Sequence, residues 1–487
     1  MEFFSQNGKI LWNGAPVSLK GINWFGFETG TNSVHALWAN SLDNYVQILK
    51  NNGFNAIRVT MSAEVMLNLD TFKVNTANES LNPGFNSLTA GQLFDKLVAK
   101  CASAGILVMP NMHRMKASED IAALWYTSEY PESRVIAAWQ AVAKRYVNSP
   151  NVFAMDLKNE PHGTTSWGTG DASTDWAMAC ERIGNAILTV NPKVLIFVAG
   201  ITESIWGDDV SKASWRPVKL SVANKVVYTP HMYKMWTFYK AGDSDSYWNS
   251  HFGSLASSGS GGAVVIGEYG YNHTDALDTT WANDFARYLN SIGATNAFYW
   301  CLNNNGSGSQ GILDSDWSTV FASKMTVINK ITPNPTNFLG GVPAPVPVPT
   351  PAPVPAPTPT PVPTPSPAPS PVPAPVPTPV PTPPAQQGAI SVAMTKSSSW
   401  KDGTGLVFTQ YNVVFTNKAA TTVKNIGFTI DGVSVTQSFS ITMSGLNFSF
   451  PSWLVQNGGL KPGQTLSWGY TCKGTTAGSV NVSSVST

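Results

Sequence analysis

Two glutamates sit where acid and nucleophile chemistry is possible: Glu160 in Leu-Lys-Asn-Glu-Pro-His-Gly (157 to 163) and Glu268 in Val-Ile-Gly-Glu-Tyr-Gly (265 to 270). Each closes a short apolar run. Two carboxyls about 5 to 5.5 Å apart can split an acetal with retention of configuration, one protonating the leaving oxygen while the other attacks the anomeric carbon. Glu160 is expected to be the general acid/base and Glu268 the nucleophile. Those roles follow if an apolar or anionic neighbourhood keeps Glu160 protonated and positive or hydrogen-bonding groups keep Glu268 ionised. Arg58, His231 and Tyr233 are the available holders. Glu28, Glu64 and Glu203 also follow apolar runs, but none has an asparagine before it or a glycine on both sides.

Positioning such a pair requires rigid strands. Before residue 340, eight apolar runs recur: 18–24, 55–60, 106–113, 152–160, 194–200, 226–233, 263–270 and 294–302. Their hydrophobicity is continuous rather than alternating, which suits strands buried on both faces. Helix periodicity lies between them, as in Leu42, Tyr45, Val46 and Leu49, and in Phe285, Tyr288, Leu289 and Ile292. Gly53, Gly105 and Gly293 each end such a helix just ahead of a strand. Eight strand–helix units fit a (β/α)8 TIM barrel, with a doubly wound sheet left open by the pattern alone.

Barrel enzymes keep their working residues at the carboxyl ends of the strands. Those ends here hold Asn23, Arg58, His113, Asn159 with Glu160, His231 with Tyr233, Glu268, and Trp300. Two carboxylates, two histidines, an arginine and a tyrosine gathered on one rim mark it as catalytic. His35, His162, His251 and His273 lack that setting and read as satisfied core or surface residues. Trp300, with Trp206 and Trp236, is a candidate platform for sugar stacking.

Lys plus Arg is 30 and Asp plus Glu is 29, with 12% charged residues, so no basic face for nucleic acid is implied. No run approaches the ~18 apolar residues of a membrane span. Cys101, Cys180, Cys301 and Cys472 show no metal-ligand spacing, so neither a metal nor another cofactor is expected. Cys101 falls on an apolar helix face, and a pair among Cys101, Cys180 and Cys301 stays open. The opening Met1-Glu2-Phe3-Phe4 has neither the charged nor the apolar segment of a signal peptide, so secretion implies a leader already removed or another route of export.

Residues 340–387 collapse into Pro, Val, Ala, Thr and Ser, a composition that cannot build a core. This linker, in polyproline II at ~3.1 Å per residue, could hold two domains on the order of 100 Å apart. It divides a barrel at 1–339 from residues 388–487, where short alternating runs and glycine, asparagine and Lys-Pro-Gly turns predict a small β-sandwich. Trp400, Trp453 and Trp468 could form a row of exposed rings against the apolar faces of glucose units, although one or two could instead fill a small core.

Taken in order, Asn-Glu-Pro at 159–161, Gly-Glu-Tyr-Gly at 267–270, Arg58, His113, the His-x-Tyr of 231–233 and Trp300 resemble glycoside hydrolase family 5, over about residues 5 to 330. The resemblance implies that Asn159 binds the 2-hydroxyl of the sugar beside the cut, that Arg58 and Tyr233 hold the nucleophile, and that His113 and His231 line the same subsite. Thr60, where family members often carry proline, and Lys158 ahead of the motif depart from the pattern without touching the catalytic pair. The segments 302–317 and 167–192 resemble loops of bacterial-type endoglucanases, and 388–487 resembles the carbohydrate-binding modules of slime-mould and plant cellulases. The implied protein is a secreted, monomeric, retaining endo-β-1,4-glucanase acting on cellulose or a related β-glucan. Mannan, xyloglucan or mixed-linkage glucan as substrate, and a non-catalytic wall-binding protein, are the alternatives.

Overall fold

A computed structural model of the chain describes residues 2–201, 207–234, 244–259, 261–306, 308–339, 389–401, 406–439, 441–444, 447–450, 454–455 and 458–486. The expected linker lies outside these residues, as do Trp206, Trp236, Trp453 and Glu203, and nothing is described of the Trp400 side chain. The chain divides into two compact units, Met1–Ala356 and Pro357–Thr487.

All eight apolar runs of the first unit form strands: β1 (Lys20–Phe27), β2 (Ala56–Ser62), β3 (Leu107–Arg114), β4 (Ala154–Asp156), β5 (Leu195–Ala199), β6 (Val226–Thr229, resuming at His231–Tyr233), β7 (Ala263–Val264, resuming at Ile266–Gly270) and β8 (Ala297–Tyr299). Every neighbouring pair is parallel. The order runs β6-β7-β8-β1-β2-β3-β4-β5 and returns to the first halves of β6 and β7, so the sheet closes into a (β/α)8 barrel. Pro230, which has no N–H to give the ladder, marks the break in β6.

Local sequence starts and stops the crossover helices. Helix α1 (Leu42–Asn51) is capped by the Ser41 side chain, which accepts from the Asn44 N–H, and buries Leu42, Tyr45, Val46 and Leu49 against the sheet. Helix α2 (Ala90–Ala104) opens on a reciprocal capping box between Thr89 and Gln92 and stops at Gly105, whose φ of 74° only glycine adopts without cost. Helices α3 (Glu132–Arg145), α4 (Trp176–Val190), α5 (Ala276–Ile292) and α6 (Ala322–Ile331) follow β3, β4, β7 and β8.

The column of side chains inside the barrel changes character along each strand. Ala56, Leu107, Met109, Ala154, Phe197, Val265 and Phe298 form an apolar inner cluster, sealed below by Phe3 and Ile10 of an N-terminal hairpin. Two residues further along come Arg58, Asn111, Asp156 and Gly267. With a side-chain period of two, these point into the same interior one layer higher. The apolar layer supplies the rigidity, and the polar layer above it is the floor of the site.

The second unit is a β-sandwich of two antiparallel four-stranded sheets. One orders Ile390–Lys401, Val407–Asn417, Thr465–Lys473 and Val435–Phe439; the other orders Thr442–Ser444, Asn447–Ser449, Asn425–Asp431 and Ser479–Ser486. Here one expectation needs correcting. Trp468 is only 4% exposed, and its ring lies 5.2 Å from that of Phe415 and 5.1 Å from that of Phe428. Strand alternation puts Leu466, Trp468, Tyr470 and Cys472 on the inner face, so this indole fills the sandwich core and presents no ring to a sugar.

All four cysteines are buried and free, so none of the pairings left open by the sequence is made.

Candidate active site

Arg58, on β2, organises the floor. Its Nε donates to Asp156 Oδ2 at 2.7 Å, its Nη1 to Asn23 Oδ1 at 2.9 Å and to Glu268 Oε1 at 2.5 Å, and its Nη2 to Asn159 Oδ1 at 2.9 Å. The guanidinium is fully buried, so one cation between two carboxylates satisfies charges that would each be costly alone. Tyr233 Oη donates to the other Glu268 oxygen at 2.8 Å. Both oxygens of Glu268 therefore have donors, and its carboxyl plane is set by two different strands. Gly267 precedes it because there is no room for a side chain: a Cβ there would fall 2.3 Å from Thr229 Oγ1.

Glu160 is held differently. His231 Nδ1 lies 2.9 Å from its Oε1. Asn159 Nδ2 makes no well-formed hydrogen bond among the described residues, yet it lies close enough to draw the Glu160 carboxyl down. Carboxylate oxygens of Glu160 and Glu268 and a ring nitrogen of His231 lie within 4.8 Å of one another. The backbone of Glu160 has φ of +47°, a left-handed conformation that costs a residue with a side chain energy and that surroundings must enforce.

Burial pushes the Glu160 carboxyl up to about 7, against the pull of Arg58 and Lys158. Burial also raises Glu268, opposed by His231, Arg58 and the Tyr233 hydroxyl. It lowers His231 to about 4, so that ring is neutral at ordinary pH. The difference between the two carboxyls lies in their donors. Glu268 has a buried guanidinium in direct contact, whereas Glu160 has only a neutral imidazole, a setting that favours its protonated form.

Above the floor, His113, Glu160, Tyr233, Tyr271 and Trp300 line an open cleft of about 330 Å3, with Arg114, Lys234 and Asp278 on its walls. Trp300, partly exposed, lies nearly parallel to Phe25 (5.7 Å, 10°) and to His113 (5.6 Å, 16°), so its plane is fixed before any ligand arrives. His113 Nδ1 is 3.0 Å from Asn111 Oδ1.

The structure thus brings together Arg58, His113, Asn159, Glu160, His231, Tyr233, Glu268 and Trp300. Trp206 and Trp236 lie outside the described residues. Glu28, a rival carboxylate by sequence, is buried away from the pair, where it accepts from Thr60 Oγ1 at 2.5 Å and from the Gly26 N–H at 2.8 Å. Sequence reasoning missed Asp156 and Asn111 and left Lys158 without a role. The available signal was a charge inside a run that otherwise reads as buried, because a buried arginine on β2 demands a buried acid nearby.

Residues 13–306 match the model of the family described as Cellulase (glycosyl hydrolase family 5). Residues 390–473 match Carbohydrate binding domain CBM49. An endoglucanase of Paenibacillus polymyxa is 36% identical over 350 residues, covering 68% of this chain and 86% of the relative. The major extracellular endoglucanase of Xanthomonas campestris is 37% identical over 338 residues, covering 66% and 68%. Among solved structures, the catalytic domain of that Xanthomonas endoglucanase superposes with a TM-score of 0.64 at 34% identity, covering 68% of this chain and 100% of the domain. A hyperthermophilic endocellulase from Pyrococcus horikoshii gives 0.63 at 32% identity, with 68% and 98% covered.

Proposed function

The chain belongs to the cellulases of glycosyl hydrolase family 5 and carries a C-terminal carbohydrate-binding domain, and from that premise we propose that it is a retaining endo-β-1,4-glucanase acting on cellulose or a related β-glucan through a covalent glycosyl-enzyme. The observation that carries the retaining route is the approach of the Glu160 and Glu268 oxygens to within 4.8 Å. That spacing suits direct attack and leaves no room for the water an inverting enzyme must seat between its carboxyls.

In the first step a Glu268 oxygen bonds to the anomeric carbon as the bond to the leaving oxygen breaks. Glu160 gives that oxygen its proton. In the second, Glu160, now a carboxylate, takes a proton from water as the water oxygen attacks the same carbon and releases Glu268. A carboxyl poised near 7 can serve in both directions close to neutral pH. Arg58 and Tyr233 neutralise charge on Glu268 as it leaves, and Asn159 Nδ2 is a buried donor available to the 2-hydroxyl of the sugar. Trp300 offers an indole face to an adjoining glucose.

We assign the catalytic work to residues 1–339, the tether to 340–387 and polysaccharide targeting to 388–487, in a secreted monomer. A tether raises the effective concentration of the barrel at an insoluble surface without adding a contact in the cleft. Deleting it with the sandwich should therefore depress hydrolysis of insoluble cellulose far more than of soluble glucan. Equal losses on both would remove the targeting role.

The deciding experiment is hydrolysis of carboxymethyl cellulose, barley β-glucan and glucomannan by the intact chain, Glu160→Gln and Glu268→Gln. Glucan cleavage lost in both variants, with retained configuration in the wild-type product by NMR, is the expected result. Full activity in either variant, or inverted product, would overturn the mechanism.

A further inference from the structure

Lys158 is fully buried. Its ammonium donates to the main-chain oxygen of Asn159, the carbonyl of the peptide bond that leads into Glu160. The same short segment is tied at two other points: the Asn159 N–H donates to the Met112 carbonyl at 2.8 Å, and His162 Nδ1 lies 2.8 Å from the Glu160 carbonyl oxygen. Together these bonds span the residue with φ of +47°. A left-handed glutamate next to proline would relax toward extended backbone unless its flanking peptides were pinned, and the lysine pins the one on the amino side.

A hydrogen bond to a carbonyl does not by itself explain a lysine. A buried ammonium gives up its hydration, and an amide would serve as donor at lower cost. What a lysine adds is charge. The groups facing it are Glu160, Asp156 and His162 from its own strand end and the loop after it, and Arg114 and His113 from β3. Asp156 is already matched by Arg58. Among the described residues Glu160 has no ion pair with a lysine or arginine, and it alternates between acid and carboxylate during each turnover, if it is the acid/base as read above.

We propose that Lys158 is the positioning residue of Glu160: it fixes the left-handed peptide that aims the carboxyl, and its positive charge stabilises the carboxylate whenever Glu160 has given up its proton. Burial brings the ammonium down to about 7, and Glu160 followed by Asp156 pulls against that fall, so the lysine and Glu160 feel each other's charge.

The test is the pH profile of kcat/KM on a soluble glucan for the full chain and three variants. Lys158→Gln keeps a donor and removes the charge, Lys158→Met removes both, and Lys158→Arg keeps the charge. The alkaline limb, which reports loss of the Glu160 proton, is expected to move up by roughly one pH unit in the Gln and Met variants, the order that an adjacent charge produces. The Arg variant should keep the wild-type limb. An unmoved limb in a folded Gln variant overturns the proposal, since a merely structural role lowers the rate at every pH alike. Should the neutral variants not fold, the lysine resonances of 13C-labelled wild type and Glu160→Gln decide. The buried ammonium should titrate at lower pH in Glu160→Gln, and equal midpoints would refute the coupling. Full glucan hydrolysis by Glu160→Gln would instead remove the acid/base reading itself, whatever the Lys158 variants do.

Discussion

Glu160→Gln should abolish glucan hydrolysis and at the same time stabilise the barrel, in a pH-dependent way whose sign follows from burial. The folded chain holds the Glu160 proton up to about pH 7, whereas an unfolded glutamate releases it near 4.5. Between those values the folded state binds more protons than the unfolded, so wild-type stability falls as pH rises through that window and stays lowered above it. The span corresponds to at most about 3 kcal/mol. Glutamine has nearly the same shape and never ionises, so it escapes that loss but makes a poorer hydrogen bond with His231, at a cost of about 1 kcal/mol. The net expectation is about 2 kcal/mol in favour of the variant at pH 8 and none, or a small deficit, at pH 4. For a barrel of this size that is a rise in Tm of about 2–4 °C at pH 8. Urea and thermal transitions of wild type and variant, followed by tryptophan fluorescence at pH 4, 6 and 8, measure it. An advantage that is constant across pH, or that shrinks as pH rises, would refute the claim that a buried, protonated Glu160 costs stability when it ionises.

Four further outcomes are expected. Tyr233→Phe removes a donor at 2.8 Å from Glu268, so kcat should fall about 10- to 100-fold, and the acid limb of kcat/KM should rise because the anion has lost a hydrogen bond; an unmoved limb would count against the contact. Arg58→Met leaves Asp156 and Glu268 buried without their cation and should destabilise the barrel by about 3–5 kcal/mol in urea at pH 7, so near-normal stability would contradict the assigned network. Trp300→Ala should raise KM for cello-oligosaccharides by about 3- to 10-fold through lost stacking, and no change would place the sugar elsewhere. Trp468→Ala, which empties the sandwich core, should destabilise that domain by about 3–5 kcal/mol while leaving soluble-glucan hydrolysis intact; a domain of normal stability that has merely lost cellulose binding would restore Trp468 as a ligand.

Much of this molecule was legible before any coordinates. Eight continuous apolar runs announce strands covered on both faces, because a strand with one wet face must alternate. Glu160 and Glu268 could be chosen among the carboxylates because each ends such a run beside residues that only a strand end would gather. Other features stayed hidden because they depend on which strand lies beside which. Asp156 and Arg58 are 98 residues apart, and only barrel closure makes them partners. The direction of a side chain was equally out of reach in the sandwich. Trp468 belongs to an alternating strand either of whose faces could be the inner one, and it is the opposite sheet, with Phe428 against the indole, that chose.

By itself, the order of residues determined the elements, the residue types on the catalytic rim and the class of chemistry they could perform, since those follow from local periodicity and from what carboxylates do. Tertiary structure alone decided how far apart the two carboxyls lie, which of them the buried guanidinium touches, and that a lysine reaches the peptide entering Glu160. Distance and dielectric are properties of the assembled interior, where neighbours many residues away in the chain set both.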